Sequence, residues 1–185
     1  MNDDILKASI DKAYKQVEKT RYELWSILNF LQVTKPIDEL DWDEVLIGES
    51  KAEIINEDVV KIYIPDYLPR TRELINKEFQ QMWEKLIRKS LYQLKTIPKY
   101  DNAFVLIEIY SKFYNYNWDV DNKGVSIIIN SLKGLLYKND SCKHLSYGVK
   151  GYDILENEID KVKHYTNIYV MDYEKYIKNA LPFIS

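Results

Sequence analysis

Between residues 59 and 173 the apolar residues switch repeatedly between a period of two and a period near 3.6. That succession limits the fold more than any single motif. "DVVKIYIP" (58–65) alternates and is closed by Pro65, which predicts a strand. "YLPRTRELINKEFQQMWEKLIRKSLYQL" (67–94) carries Leu74, Ile75, Phe79, Met82, Trp83, Leu86 and Leu91 at helical spacing. Arg70, Arg72, Lys77, Arg88 and Lys89 lie on or near the wet side of that helix. Alternation returns in "AFVLIEIYSKFY" (103–114), just after Pro98. A helix over about 123–136 turns Val125, Ile128, Ile129, Leu132 and Leu136 inward. Strands follow near 143–151 and in "HYTNIYVMDY" (164–173), and a short helix is expected over 173–181. The order β-α-β-α-β-β makes this an α+β domain with a mixed sheet.

Ahead of it, residues 4–31 read as one long helix, ended by Pro36. Leu6, Ile10, Ala13, Val17, Leu24, Leu28 and Leu31 are spaced by three and four, interrupted by Thr20. A stripe this narrow needs a partner surface, either the body or a second copy. Residues 36–58 then read as a solvated linker, with the acidic run "DELDWDE" around Trp42. The chain therefore divides into an acidic helical extension (1–58) and a body (59–185).

At 185 residues, 46% apolar and 14% aromatic, the chain can bury a core, and its mixed charges argue against global disorder. No apolar run reaches the roughly 18 residues that span a bilayer. The start has neither a basic nor an apolar signal region. The lone Cys142 leaves no internal disulfide to form, which suits a reducing cytoplasm. The net charge of −3 conceals an asymmetry. Residues 1–58 hold 7 Lys/Arg against 14 Asp/Glu, and the rest hold 19 against 15. Only the body suits a polyanion.

The densest chemistry lies in "NYNWDVDNKGVSIIINSLKGLLYKNDS" (115–141). In an extended segment Asp119 and Asp121 point to one side, with Val120 opposite. Two such carboxylates repel unless a cation or proton sits between them. Oxygen ligands of this kind suit Mg²⁺ or Mn²⁺, which can generate hydroxide and steady charge on a phosphodiester. The same residues have an ordinary structural use, because Asp121 suits an N-cap and Asp119 gains from the helix dipole. Spacing alone leaves both open. Cys142 and His144 form a C-x-H pair, but a zinc site needs two more ligands and only His164 remains among the histidines.

A strand leading to D-V-D-N, a helix carrying "SLKGLLY", the turn "ND" and two further strands together resemble the RusA family of Holliday junction resolvases. The resemblance covers roughly residues 59–173, including "VVKIYIPDYLP". It implies a phage- or prophage-type, cytoplasmic, Mg²⁺-dependent endonuclease (Mn²⁺ as a substitute) that cuts branched DNA as a homodimer. By that resemblance Asp119, Asp121 and Asp140 are the metal-binding carboxylates, and Lys123 or Lys133 contacts phosphate. Arg70, Arg72 and Lys77 are further DNA-binding candidates. Asp119, Asp121, Asp140 and Lys123 make up the catalytic set. Tyr110, Phe113, Tyr114, Tyr116 and Trp118 are candidates to stack on unpaired bases. Departures from the family pattern are Asn139 in place of a second turn acid, an aromatic run before the motif, and Val125 where the family has a lysine. They motivate a rival expectation: a non-catalytic interaction protein whose acidic extension binds a protein partner or imitates nucleic acid.

Overall fold

In the computed structural model, which describes residues 3–34, 48–56, 58–68, 74–111, 123–153 and 164–178, the expected order of elements is present. Helix α1 (Asp3–Thr34) leads to β1 (Lys51–Ile55), β2 (Val59–Ile64), α2 (Lys77–Leu91) and β3 (Ala103–Ser111). Then come α3 (Lys123–Leu132), β4 (Leu145–Asp153), β5 (Tyr165–Asp172) and a short π-helical turn, Glu174–Lys178. The five strands form one mixed sheet in the order β1-β2-β5-β3-β4. Only β3 and β4 are parallel, with Ala103 opposite Leu145 and Ser111 opposite Asp153. A parallel pair needs a crossover, and α3 supplies it. No described helix is long and apolar enough to cross a membrane.

Alternation along β3 sets up the two faces of the sheet. Val105, Ile107 and Ile109 are buried on the helix-covered side, while Phe104, Leu106, Glu108 and Tyr110 are half-buried on the other. The covering layer is the α2 face expected from its spacing (Phe79, Met82, Trp83, Leu86, Leu91), joined by Val125, Ile128, Ile129 and Leu132 from α3. Two helix limits differ from expectation, each for a local reason. Asn76 accepts from the Phe79 N–H at 2.8 Å, so α2 starts at Lys77 and not near Tyr67. Gly134, at φ +77°, ends α3 two residues after Leu132, short of residue 136. Leu136 still reaches the core, carried there by the turn, and its carbonyl accepts from Tyr100 N.

The larger corrections concern the N-terminal region. Residues 51–55, expected within the linker, form the edge strand β1, paired to β2 from Lys51–Tyr63 through Ile55–Val59. "DELDWDE" lies outside the described residues. Helix α1 packs on the body with a face other than its aliphatic stripe. Tyr22 and Trp25 are buried in the same cluster as the sheet, and Tyr22 meets Phe79 edge-on at 5.3 Å. Lys85 Nζ donates to Asn29 Oδ1 at 2.7 Å, and the Tyr14 and Tyr67 hydroxyls pair at 2.8 Å.

At the centre of this contact Arg21 reaches Asp66, just past β2. Nη1 donates to Oδ2 at 3.0 Å and Nη2 to Oδ1 at 3.3 Å, while Glu18 receives Nη2 at 2.8 Å. Asp66 is 4% exposed and also accepts from Tyr67 N. Its backbone carbonyl accepts from Thr166 Oγ1 on β5. Burial pushes the Asp66 carboxyl up, partly offset by Arg21 and the Tyr67 N–H. Burial also works against the Arg21 charge, but Asp66, Tyr22 and Glu18 outweigh it and keep the guanidinium protonated.

Removing one partner of such a pair leaves the other buried without compensation. Arg21→Ala is expected to cost about 3–5 kcal/mol in urea unfolding, and Arg21→Met with Asp66→Asn markedly less. A single-variant loss below about 1 kcal/mol would class the pair with surface bridges. A chain beginning near Glu57, which lacks β1, Tyr22 and Trp25, is expected to lose its cooperative transition.

Candidate functional site

The acidic candidates sit at two ends of one crossover. Ser111 ends β3 and Lys123 begins α3, so Asp119 and Asp121 fall in the connection between a central strand and the crossover helix. Asp119, Asp121, Arg70, Arg72, Phe113, Tyr114, Tyr116 and Trp118 lie outside the described residues. So does the side chain of Lys123. Covalent geometry still ties Asp121 to the start of α3, at most about 7 Å from the Lys123 Cα.

Asp140 is at the opposite end. Its Oδ1 accepts from Lys133 Nζ at 2.7 Å, one residue past the end of α3. The ten residues of α3 rise about 15 Å, which separates Lys123 from this pair. Sheet register gives the same result. The Asp140 turn feeds β4 at the end where β3 begins, whereas the D-x-D segment leaves from the end where β3 finishes. Gly134 does end the helix early, yet the following turn closes onto the helix's own C-terminal end. Lys99 Nζ donates to the Gly134 carbonyl at 2.6 Å, and Asn139 Oδ1 accepts from Ser141 N at 3.1 Å. Lys133 and Asp140 are thus brought together. Lys77 stands apart, exposed at the first residue of α2.

Sequence reasoning singled out Tyr110 but not its neighbours. On the half-buried face of the sheet, Tyr152, Tyr110 and Tyr165 lie directly across β4, β3 and β5. Their rings stack at 4.6 and 4.3 Å, and Tyr63 on β2 continues the row 5.6 Å from Tyr165. Glu108 sits beneath, accepting from the Tyr110 and Tyr152 hydroxyls at 3.2 and 3.0 Å. Burial, followed by the Glu108 charge, raises the Tyr110 and Tyr169 phenols above their ordinary value. The rings stack on one another, so the faces open to a ligand are at the ends of the row. Lys150 caps the β4 end, its Nζ 4.6 Å from the Tyr152 ring centre. Beside Glu108, the Asn167 side chain is buried and its Oδ1 has no hydrogen-bond partner among the described residues. The legible signal was 16 tyrosines with several at alternate positions; the missing information was strand order.

Among the described residues no group of three His, Cys, Asp or Glu side chains is arranged to hold a metal ion. Cys142 is exposed, and His144 Nδ1 lies 2.9 Å from the Asp101 carbonyl, so that ring is committed to the turn. No protein-family model matches the sequence, and no curated protein matches it significantly.

The Lys133 hydrogen bond holds the Asp140 carboxyl below the ordinary carboxylate range. The folded value is the lower one, so the contribution to stability is complete above the unfolded pKa and disappears as pH falls through the folded pKa. Carboxyl-detected NMR titration is expected to show Asp140 titrating low, and Lys133→Ala to return it to the ordinary range. An unchanged Asp140 curve in that variant would remove Lys133 as the cause.

Proposed function

We propose that the chain is a RusA-like, Mg²⁺-dependent endodeoxyribonuclease acting on Holliday junctions or other branched DNA. One observation carries most of the weight: the D-V-D-N run joins the end of a central strand, β3, to the crossover helix α3. Ligand sites of open sheets lie beyond the carboxyl ends of strands, where crossover connections leave. The β-α-β-α-β-β order shared with the family supports the same assignment. Asp119 and Asp121 hold the metal in this scheme, and Lys123, next along the chain, meets phosphate. The metal supplies a hydroxide nucleophile and offsets charge on the scissile phosphate. Arg70, Arg72 and Lys77 extend the contact along the DNA backbone. Asp140 lies a helix length away in its own chain, so it serves this site only if a second copy presents it. Lys133 follows Asp140.

A second assignment has a specific observation behind it. Val125, where the family has a lysine, is 4% exposed and belongs to the core, so no cation stands at that position. A chain without that lysine that still binds a partner is the interaction-protein alternative.

Four-way junction DNA with Mg²⁺ or Mn²⁺ separates the two. Cleavage is expected for the wild-type chain, with a loss of about 100-fold for Asp121→Asn, which removes the charge at nearly constant side-chain size. An inactive wild-type chain favours the interaction protein, and wild-type rates from Asp121→Asn would take Asp121 out of the site.

A further inference from the structure

Among the described residues, much of the aliphatic stripe of α1 is left exposed. Its sequence admits two partners, the body or a second copy, and the body packs against the other face, through Tyr14, Arg21, Tyr22 and Trp25. Leu6, Ile10, Ala13, Val17 and Leu24 of the stripe are exposed and Leu28 is half-buried, while Ile27 beside it is exposed, with Ile10 at 60%, Val17 at 65% and Ile27 at 57%. Lone exposed aliphatic residues are ordinary, but an aligned row of them is not.

The row has a heptad period. From Leu6 the spacing runs four, three, four, three, four, three to Ile27, with Thr20 the one polar member. A 3.5-residue repeat is the pattern that seats one helix along another. Residues on one flank, Tyr14 and Arg21, are committed to the body, and Ser9, Gln16 and Glu23 make the other flank polar as far as Phe30. Helix α1 has 32 residues and is about 48 Å long. A specific interface buries about 1,200 Å² or more in total, a demand that a narrow seam meets through its length.

The seam also complements itself. Run antiparallel about a point between residues 18 and 19, Ile10 faces Ile27, Leu24 faces Ala13, and Val17 faces Thr20. Each small residue then meets a larger one. In a parallel pair Ala13 would face Ala13 and Thr20 would face Thr20, leaving two thin layers with only the Val17 layer between them. We propose that α1 pairs antiparallel with α1 of a second copy of this chain through this seam. It rests on α1 alone and does not depend on the nuclease assignment.

Sedimentation equilibrium of the full chain at tens of micromolar is expected to give a dimer. Val17→Glu with Leu24→Glu is expected to give a monomer with an unchanged near-UV spectrum, because neither side chain contributes to the monomer's core. Orientation is read in a Cys142→Ser background by mixing an Ala13→Cys chain with a Leu24→Cys chain under mild oxidation. Disulfide-linked heterodimers are expected. A monomeric wild-type chain overturns the proposal, including the case where residue 17 is shielded by the chain's own segments. A dimer that survives both glutamates, or Ala13→Cys chains that link to each other in preference to the mixture, overturns it as well.

Discussion

Helix α1 is oriented on the sheet by one largely buried polar contact, the guanidinium of Arg21 on the carboxylate of Asp66. Asp66 follows β2 and is tied to β5 through its own carbonyl, so the pair connects α1 to two strands at once. A charge pair taken out of water gains little over a well-packed apolar contact, but it tolerates no change of register. Sliding α1 by one residue would rotate Arg21 by about 100° and strand Asp66. The apolar neighbours Tyr22 and Trp25 supply the hydrophobic gain, and the ion pair fixes which face of the helix makes it. The aliphatic seam points outward as a consequence.

That consequence explains where the sequence misleads. Periodicity weights Leu, Ile and Val, and on α1 these residues mark the outer stripe. The inner face is built from Tyr14, Glu18, Arg21, Tyr22, Trp25 and Asn29, types that hydropathy patterns score as mixed. Long amphipathic side chains of this kind bury their stems and rings while keeping polar tips paired. Its selection followed from Asp66, nearly fifty residues away, and no local pattern carries that information. The strand β1 was hidden for a related reason. "KAEII" at an edge alternates weakly, and its one strong neighbour is β2.

The body was far more legible. Its core strands and helices have clean periods, so their order and inward faces could be read directly, and the α+β mixed sheet is present as expected. Helix ends were less so, because Asn76 acts through a side-chain cap and Gly134 through backbone geometry, neither of which hydropathy records. Strand order was not legible at all. The insertion of β5 between β2 and β3 is what aligns Tyr63, Tyr165, Tyr110 and Tyr152 over Glu108. The acidic motif was legible as a motif, but its relation to Asp140 depended on which way the turn after α3 closes. It closes onto Lys133, which puts the length of α3 between Asp140 and Lys123.

Helix α1 belongs to the body's cooperative unit, although its most apolar stripe faces away. Native-state hydrogen exchange resolves this amide by amide. The amides of residues 18–29 are expected to exchange only through global unfolding, with the same free energy and denaturant dependence as those of β3 and β5. Exchange of that stretch through a separate opening, at a free energy well below the global value, would contradict the account. It would make α1 an appendage resting on the sheet domain.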